Sequence, residues 1–254
     1  VYALAIAGMV LVFIWPKTAG LLLAMGAWIK VWPAAIVFAA FATVKSKWGL
    51  FLGSLYFSLG LIVIGVLGGG VTNLFGFLGQ QTSRGIQIEA PLAAPFLWLA
   101  INGNSGHEIY YDTDILTYQA SGPGVAEVAY ISNAVLGIAV IGALAWGWWL
   151  SRRGIDQMLL FPLVSFIVIT ALIVLNKVGS PQYMMWLVAP LVAGLIFYPR
   201  AWRSLALLSL LVAGMTHVIY PYWYGNILVL DPPLIALLTL RNIGLVALLV
   251  TSCW

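Results

Sequence analysis

Long apolar runs separated by short polar breaks occupy most of the chain. Trp48–Leu67, Val125–Leu150, Met158–Leu175, Gln182–Tyr198, Leu205–Tyr220 and Leu234–Cys253 each approach the roughly 20 residues that cross a bilayer as a helix. Val1–Trp15 reads as the tail of a longer span. Ala19–Val44 is long enough to cross, but Lys30 and Pro33 interrupt it, so it either crosses once or folds back as a hairpin. Ala90–Ile101 is apolar but too short to cross roughly 30 Å of hydrocarbon. Val71–Ile88 is mixed and polar, Asn102–Gly124 reads as a polar loop, and Pro221–Pro233 as an aromatic, Pro-rich loop. The pattern predicts an all-α, polytopic transmembrane helical bundle. It has about eight spans plus a short external or re-entrant helix. Residues 1–254 are expected to form a single membrane domain, with residues 68–124 as an external segment.

Composition agrees with the pattern. Apolar residues make up 63% of the chain and charged residues 7%, with a mean hydropathy of +1.05. A soluble domain carries about a quarter charged residues. The net charge of +4 is no nucleic-acid signal, because the cations fall mainly in short loops between apolar runs. With Lys45 and Lys47 cytoplasmic, the positive-inside rule also places Arg152, Arg153, Arg200 and Arg203 inside. Lys177 and the 68–124 segment then face outward, provided that Ala90–Ile101 does not cross. Lys17 fits this scheme only if Ala19–Val44 is a hairpin. Cys253 is the single cysteine, and His107 and His217 are far apart. No metal site and no cofactor are therefore expected.

Three stretches carry candidate chemistry. Asn176–Tyr183 is a polar break holding Lys177, Ser180, Gln182 and Tyr183, with Gly179 and Pro181 ending one helix and opening the next. Free amides at such a helix start beside Lys177 would cradle an anion, although polar turns between membrane helices are required in any case. In Arg84–Glu89, Gln87 and Glu89 alternate with Ile86 and Ile88, which puts both polar groups on one side of an extended segment. Glu89 at the bilayer edge is the candidate general base; alternatively it simply pairs with Arg84. Lys30 is an ionisable group within an apolar run, a functional candidate weighed equally against snorkelling to the interface. Arg241 raises the same question, and a structural pairing is expected for it. Trp146–Trp149 reads as an interface anchor.

The Lys-x-x-Pro segment (Lys30, Pro33), Arg84–Glu89 and Asn176–Tyr183 together resemble glycosyltransferase family 87 and its actinobacterial relatives, membrane sugar transferases of the C-type fold. The order matches across most of the chain, and Ser-Pro-Gln-Tyr at 180–183 is the most specific part. Gly179 departs from the pattern, standing where a bulky residue such as Phe is expected. The resemblance implies a polyprenyl-phosphate sugar donor and a lipid or glycan acceptor on the outer face of the plasma membrane. Arg84, Gln87, Lys177, Ser180, Gln182, Tyr183 and Lys30 would then serve substrate binding. It also implies a catalytic carboxylate in an N-terminal external loop, so this chain is expected to be the C-terminal portion of such an enzyme, inactive alone if that base is missing. A transporter or lipid flippase with broken helices is the competing class, and a non-catalytic membrane subunit is the third.

Overall fold

Proline sets several helix boundaries. Pro16, Pro33, Pro199 and Pro232 each open a helix, where the missing N–H has no intrahelical partner to lose. The computed structural model describes residues 1–70, 85–103 and 106–253, and 76% of these described residues are helical. Among these residues the helices are α1 (Tyr2–Leu11), α2 (Pro16–Ile29), α3 (Pro33–Thr43), α4 (Lys47–Leu67), α5 (Ala94–Ile101), α6 (Val125–Arg152), α7 (Gln157–Val174), α8 (Val188–Phe197), α9 (Pro199–His217), α10 (Tyr224–Leu228) and α11 (Pro232–Ser252). Among the described residues, five helices are long and apolar enough to cross a membrane: α4, α6, α7, α9 with its continuation to Leu228, and α11. The other expected spans are built differently. Val1–Trp15 forms the ten-residue α1, Ala19–Val44 divides into α2 and α3, and Gln182–Tyr198 is a 3₁₀ segment, Pro181–Leu187, running into α8.

Two expected loops are structured. Asn102–Gly124 contains a hairpin of β2 (Glu108–Asp112) and β3 (Thr117–Ser121). Its Ile, Thr and Tyr residues suit a pleated surface, and Asp112 Oδ1 closes the turn by accepting the amides of Asp114 (3.0 Å) and Ile115 (3.3 Å). β1 (Ile86–Gln87) adds to β3, giving the antiparallel order β1-β3-β2. Ile86, Ala120 and Ile109 are in register on the face that packs into a buried apolar cluster; Gln87, Gln119 and Tyr110 share the other. The expected loop at 221–233 is helical as far as Leu228. Pro221 cannot donate to the ladder, and the chain kinks within Val218–Trp223, where Tyr220 leaves helical geometry (φ −114°, ψ 125°) and joins two helices.

The chain divides into two compact units. The first comprises Val1–Ser83, Ile141–Ile169 and Met185–Arg203. Within it α2 and α4 run parallel with backbones in contact. Pro16 lies on Gly49, the Lys17 carbonyl on Gly53 and the Leu50 carbonyl on Gly20, and Ser54 Oγ donates to Gly20 O (3.0 Å). The start of α2 therefore lies beside the start of α4, and α3 ends only a short turn before α4 begins. Ala19–Val44 is thus a hairpin turning at Lys30–Trp32, with its start and its end at the same end of α4. This removes the misfit of Lys17, which stands at the same end as Lys45 and Lys47. The α6–α7 turn joins them there through Ser151 Oγ to Thr43 O (3.2 Å) and Lys45 N to Gln157 Oε1 (3.0 Å), and the α8–α9 turn joins through the Tyr198 hydroxyl, which donates to Asp156.

The second unit comprises Arg84–Val140, Thr170–Met184 and Ser204–Trp254. Its core is the apolar cluster of Ile86, Ile88, Leu97, Ile219, Ile227 and Ile235 with their neighbours. The small sheet, α5, the α9 kink and α11 all contribute to that cluster.

Candidate functional site

The site is assembled from the chain leaving β1. Ala90 N donates to Gln87 O (3.0 Å), so the extended stretch ends at Gln87 and Glu89 sits in a turn. The expected alternation therefore stops one step early, and the two polar side chains take different partners. Gln87 Oε1 accepts the amide of Gly179 (3.0 Å), and Gln87 N donates to the carbonyl of Lys177 (2.9 Å). One residue thus clamps the Asn176–Tyr183 segment by backbone and side chain together. At Gly179 any Cβ would collide with the backbone of Glu89 and Ala90. A bulky residue such as Phe has no room at this position.

Glu89 is 8% exposed, and its Oε1 accepts hydrogen bonds from Tyr220 Oη and Tyr224 Oη, each 2.7 Å. The kink at Tyr220 brings the two rings to a centroid separation of 4.6 Å. The Tyr118 ring meets Tyr224 edge-on at 6.1 Å. The backbone carbonyl of Glu89 accepts from Arg241 Nη1 (3.1 Å). Arg241 also reaches Thr216 Oγ1 through Nε (3.1 Å) and Asn242 Oδ1 (2.7 Å), and is 1% exposed. The structural pairing expected for Arg241 takes this form: a guanidinium inside an apolar helix spreads its donors over three acceptors.

Of the amides that precede Pro181, Val178 N donates to Asn176 Oδ1 (3.0 Å) and Gly179 N to Gln87, so these two N–H groups serve the fold. Lys177 is 5% exposed, Ser180 and Tyr183 are half-buried, and Gln182 is exposed. Lys30 belongs to the first unit, where it caps α2 at the exposed tip of the hairpin. Arg84 lies outside the described residues.

Gln87, Glu89, Lys177 and Gly179 are thus neighbours in the second unit. Sequence reading missed Arg241 and the two tyrosines as their partners. The signal was present: a lone arginine in an apolar span, and tyrosines four residues apart around Pro221. An apolar cleft of about 140 Å³ lies in the same unit, lined by Leu92, Val128, Ile131, Ser132, Val135 and Leu175. Leu92 and Leu175 closely follow Glu89 and closely precede Lys177 in sequence, respectively. Comparison with known proteins gives no match to any family model, curated protein or solved structure.

Proposed function

We propose that the protein is a membrane glycosyltransferase. It moves a mannose-like sugar, or another hexose or pentose, from a polyprenyl-phosphate donor to a lipid or glycan acceptor at the non-cytoplasmic face of the plasma membrane. The proposal includes a C-type fold of about eight spans, in which the hairpin and shorter helices complete the five long ones. The observation that carries it is the Gln87 clamp. The two most distinctive polar stretches of the sequence, 84–89 and 176–183, are hydrogen-bonded to each other beside a carboxylate held by two phenols.

The chemistry follows from those groups. The donor's phosphodiester is an anion tethered at membrane depth by its isoprenoid chain, and the apolar cleft offers that chain a surface. Lys177 and Arg84 stabilise the phosphate as charge develops on it. A carboxylate takes the proton of the acceptor hydroxyl. The hydroxyl oxygen then bonds to the anomeric carbon opposite the phosphate, the glycosidic C–O bond to phosphate breaks, and polyprenyl phosphate leaves with inversion. Glu89 is this chain's candidate for the carboxylate.

The test is sugar transfer from a radiolabelled polyprenyl-phosphate sugar by the membrane-reconstituted protein. Glu89→Gln keeps an acceptor for both tyrosines, so it is expected to fold while losing at least about 100-fold in turnover. Lys177→Ala is expected to lose a comparable factor. Unchanged turnover in both folded variants removes the site assignment. Lipid scrambling or solute uptake without transfer replaces the reading with that of a flippase or transporter.

A further inference from the structure

At the end of the first unit where four interhelical turns meet, the Lys45–Lys47 turn lies against the Arg152–Arg153 turn, held by the Ser151–Thr43 and Lys45–Gln157 hydrogen bonds. Lys45, Arg152 and Arg153 are exposed and Lys47 half-exposed. Lys17, Arg200 and Arg203 add to the same end, so seven of the chain's eleven Lys and Arg residues gather there. The acid of these turns, Asp156, is engaged by the Tyr198 hydroxyl. The Arg153 guanidinium stacks 3.8 Å from the ring centre of Trp149, and Arg152 lies 6.0 Å from that of Trp148. Stacking holds a guanidinium plane while leaving its N–H edge to meet phosphate oxygens.

We infer that this corner binds the phosphate headgroups of anionic phospholipids in the leaflet it faces. A lipid, rather than a soluble anion, is the occupant because of what flanks the cations. Lys47 opens α4 and Arg152 closes α6, and the apolar windows of both helices are only 11% buried. Apolar surface therefore runs directly up to the charges. Trp48, Trp148 and Trp149 are 72%, 51% and 44% exposed at the boundary, the position of an interfacial aromatic belt. A phospholipid matches that sequence of acyl chain, aromatic level and phosphate.

The experiment is native mass spectrometry of the purified, detergent-solubilised protein titrated with phosphatidylglycerol or phosphatidylcholine. Each cation near an anionic surface contributes about fivefold. Phosphatidylglycerol is therefore expected to bind at least about tenfold more tightly, with the preference shrinking as salt shortens the screening length. The variant combining Lys45→Gln, Lys47→Gln, Arg152→Gln and Arg153→Gln is expected to bring the preference below about twofold, whereas Lys30→Gln at the hairpin tip retains it. Circular dichroism checks the fold of the fourfold variant. If it does not fold, Lys45→Gln/Lys47→Gln and Arg152→Gln/Arg153→Gln decide, each being expected to lose part of the preference. Equal binding of the two lipids by the wild type, preference surviving in the folded variants, or equally effective competition by free glycerol phosphate each overturns the inference.

Discussion

The two units solve the same problem by different means. In the first, α2 and α4 meet backbone to backbone, because Gly20, Gly49 and Gly53 leave room for Leu50, Pro16 and Lys17. Gly49 and Gly53 are four residues apart, the small-residue spacing that lets membrane helices approach closely. In the second, distant segments are joined by polar side chains: Gln87 to Gly179, Glu89 to Tyr220 and Tyr224, and Arg241 to Glu89, Thr216 and Asn242. Close packing needs only small residues. Buried polar groups need every partner in place, because an unmet donor or acceptor in apolar surroundings costs about 1–3 kcal/mol. The first arrangement joins helices by small residues alone; the second holds a carboxylate in one position.

The largest expected effects come from the glycines that each arrangement depends on. Gly53→Ala and Gly179→Ala both drive a Cβ into backbone, at Lys17 and at Glu89–Ala90. Backbone cannot rotate aside, so each should cost about 3 kcal/mol or more. Gly60→Ala and Gly137→Ala meet nothing within 4 Å and should be neutral or stabilising by roughly 0.5–1 kcal/mol, since both lie inside helices. Thermal unfolding in detergent measures all four. The comparison sharpens if Gly179→Ala also removes the proposed sugar transfer at temperatures where the protein remains folded, and breaks if Gly179→Ala is as mild as Gly137→Ala.

The middle of the scale tests the polar network. Tyr220→Phe and Tyr224→Phe each remove one donor to Glu89 and should cost about 0.6–1.7 kcal/mol, the range of hydrogen bonds within membrane proteins. Glu89→Ala strands both phenols and should cost about 2–3 kcal/mol, more than either tyrosine variant. A double-mutant cycle between Tyr220 and Tyr224 is expected to show coupling, because both donate to one oxygen and their rings touch. Strict additivity would mean that the two tyrosines support Glu89 independently, and the network would be a set of isolated bonds.

How much of this was legible follows from the same contrast. The membrane class and most long helices are written in local composition, which needs no knowledge of partners. The hairpin at Lys30–Pro33 was legible as one of two alternatives; choosing it required the Pro16–Gly49 contact, which no local pattern carries. The β2–β3 hairpin went unread because its polar residues outweighed the alternation of Ile109 and Tyr111 with their neighbours. Arg241 was visible as an anomaly, yet its acceptor is the backbone carbonyl of Glu89, 152 positions away in sequence, and a carbonyl has no sequence signature. Gly179 is the reverse case: a glycine within the polar break is the sequence's trace of a close backbone contact.

The smallest expected effect returns to the first unit, where polar side chains bind at the surface. The hydrogen bond from Tyr198 holds the Asp156 carboxyl below its ordinary range, helped by the Met158 amide and the charge of Lys45. The same bond raises the Tyr198 phenol. A carboxylate lowered in the folded state contributes stability that is present above its unfolded value, about pH 4, and is lost as pH falls through the lower folded value. A phenol raised in the folded state contributes below its unfolded value, about pH 10, and the contribution is lost as pH rises through the higher folded value. Between those limits Tyr198→Phe should lower the melting temperature slightly. The gap to wild type should close in acid below about pH 4 and in base above about pH 10. Because both groups are solvent-screened, added salt should narrow the gap throughout. Melting curves from pH 3 to 11 at two salt concentrations measure it, whereas Tyr220→Phe in the second unit, half-buried against the apolar cluster and bonded to the buried Glu89, should keep its penalty when salt is added. A salt-sensitive Tyr220→Phe would erase the distinction between a surface bond and a buried network.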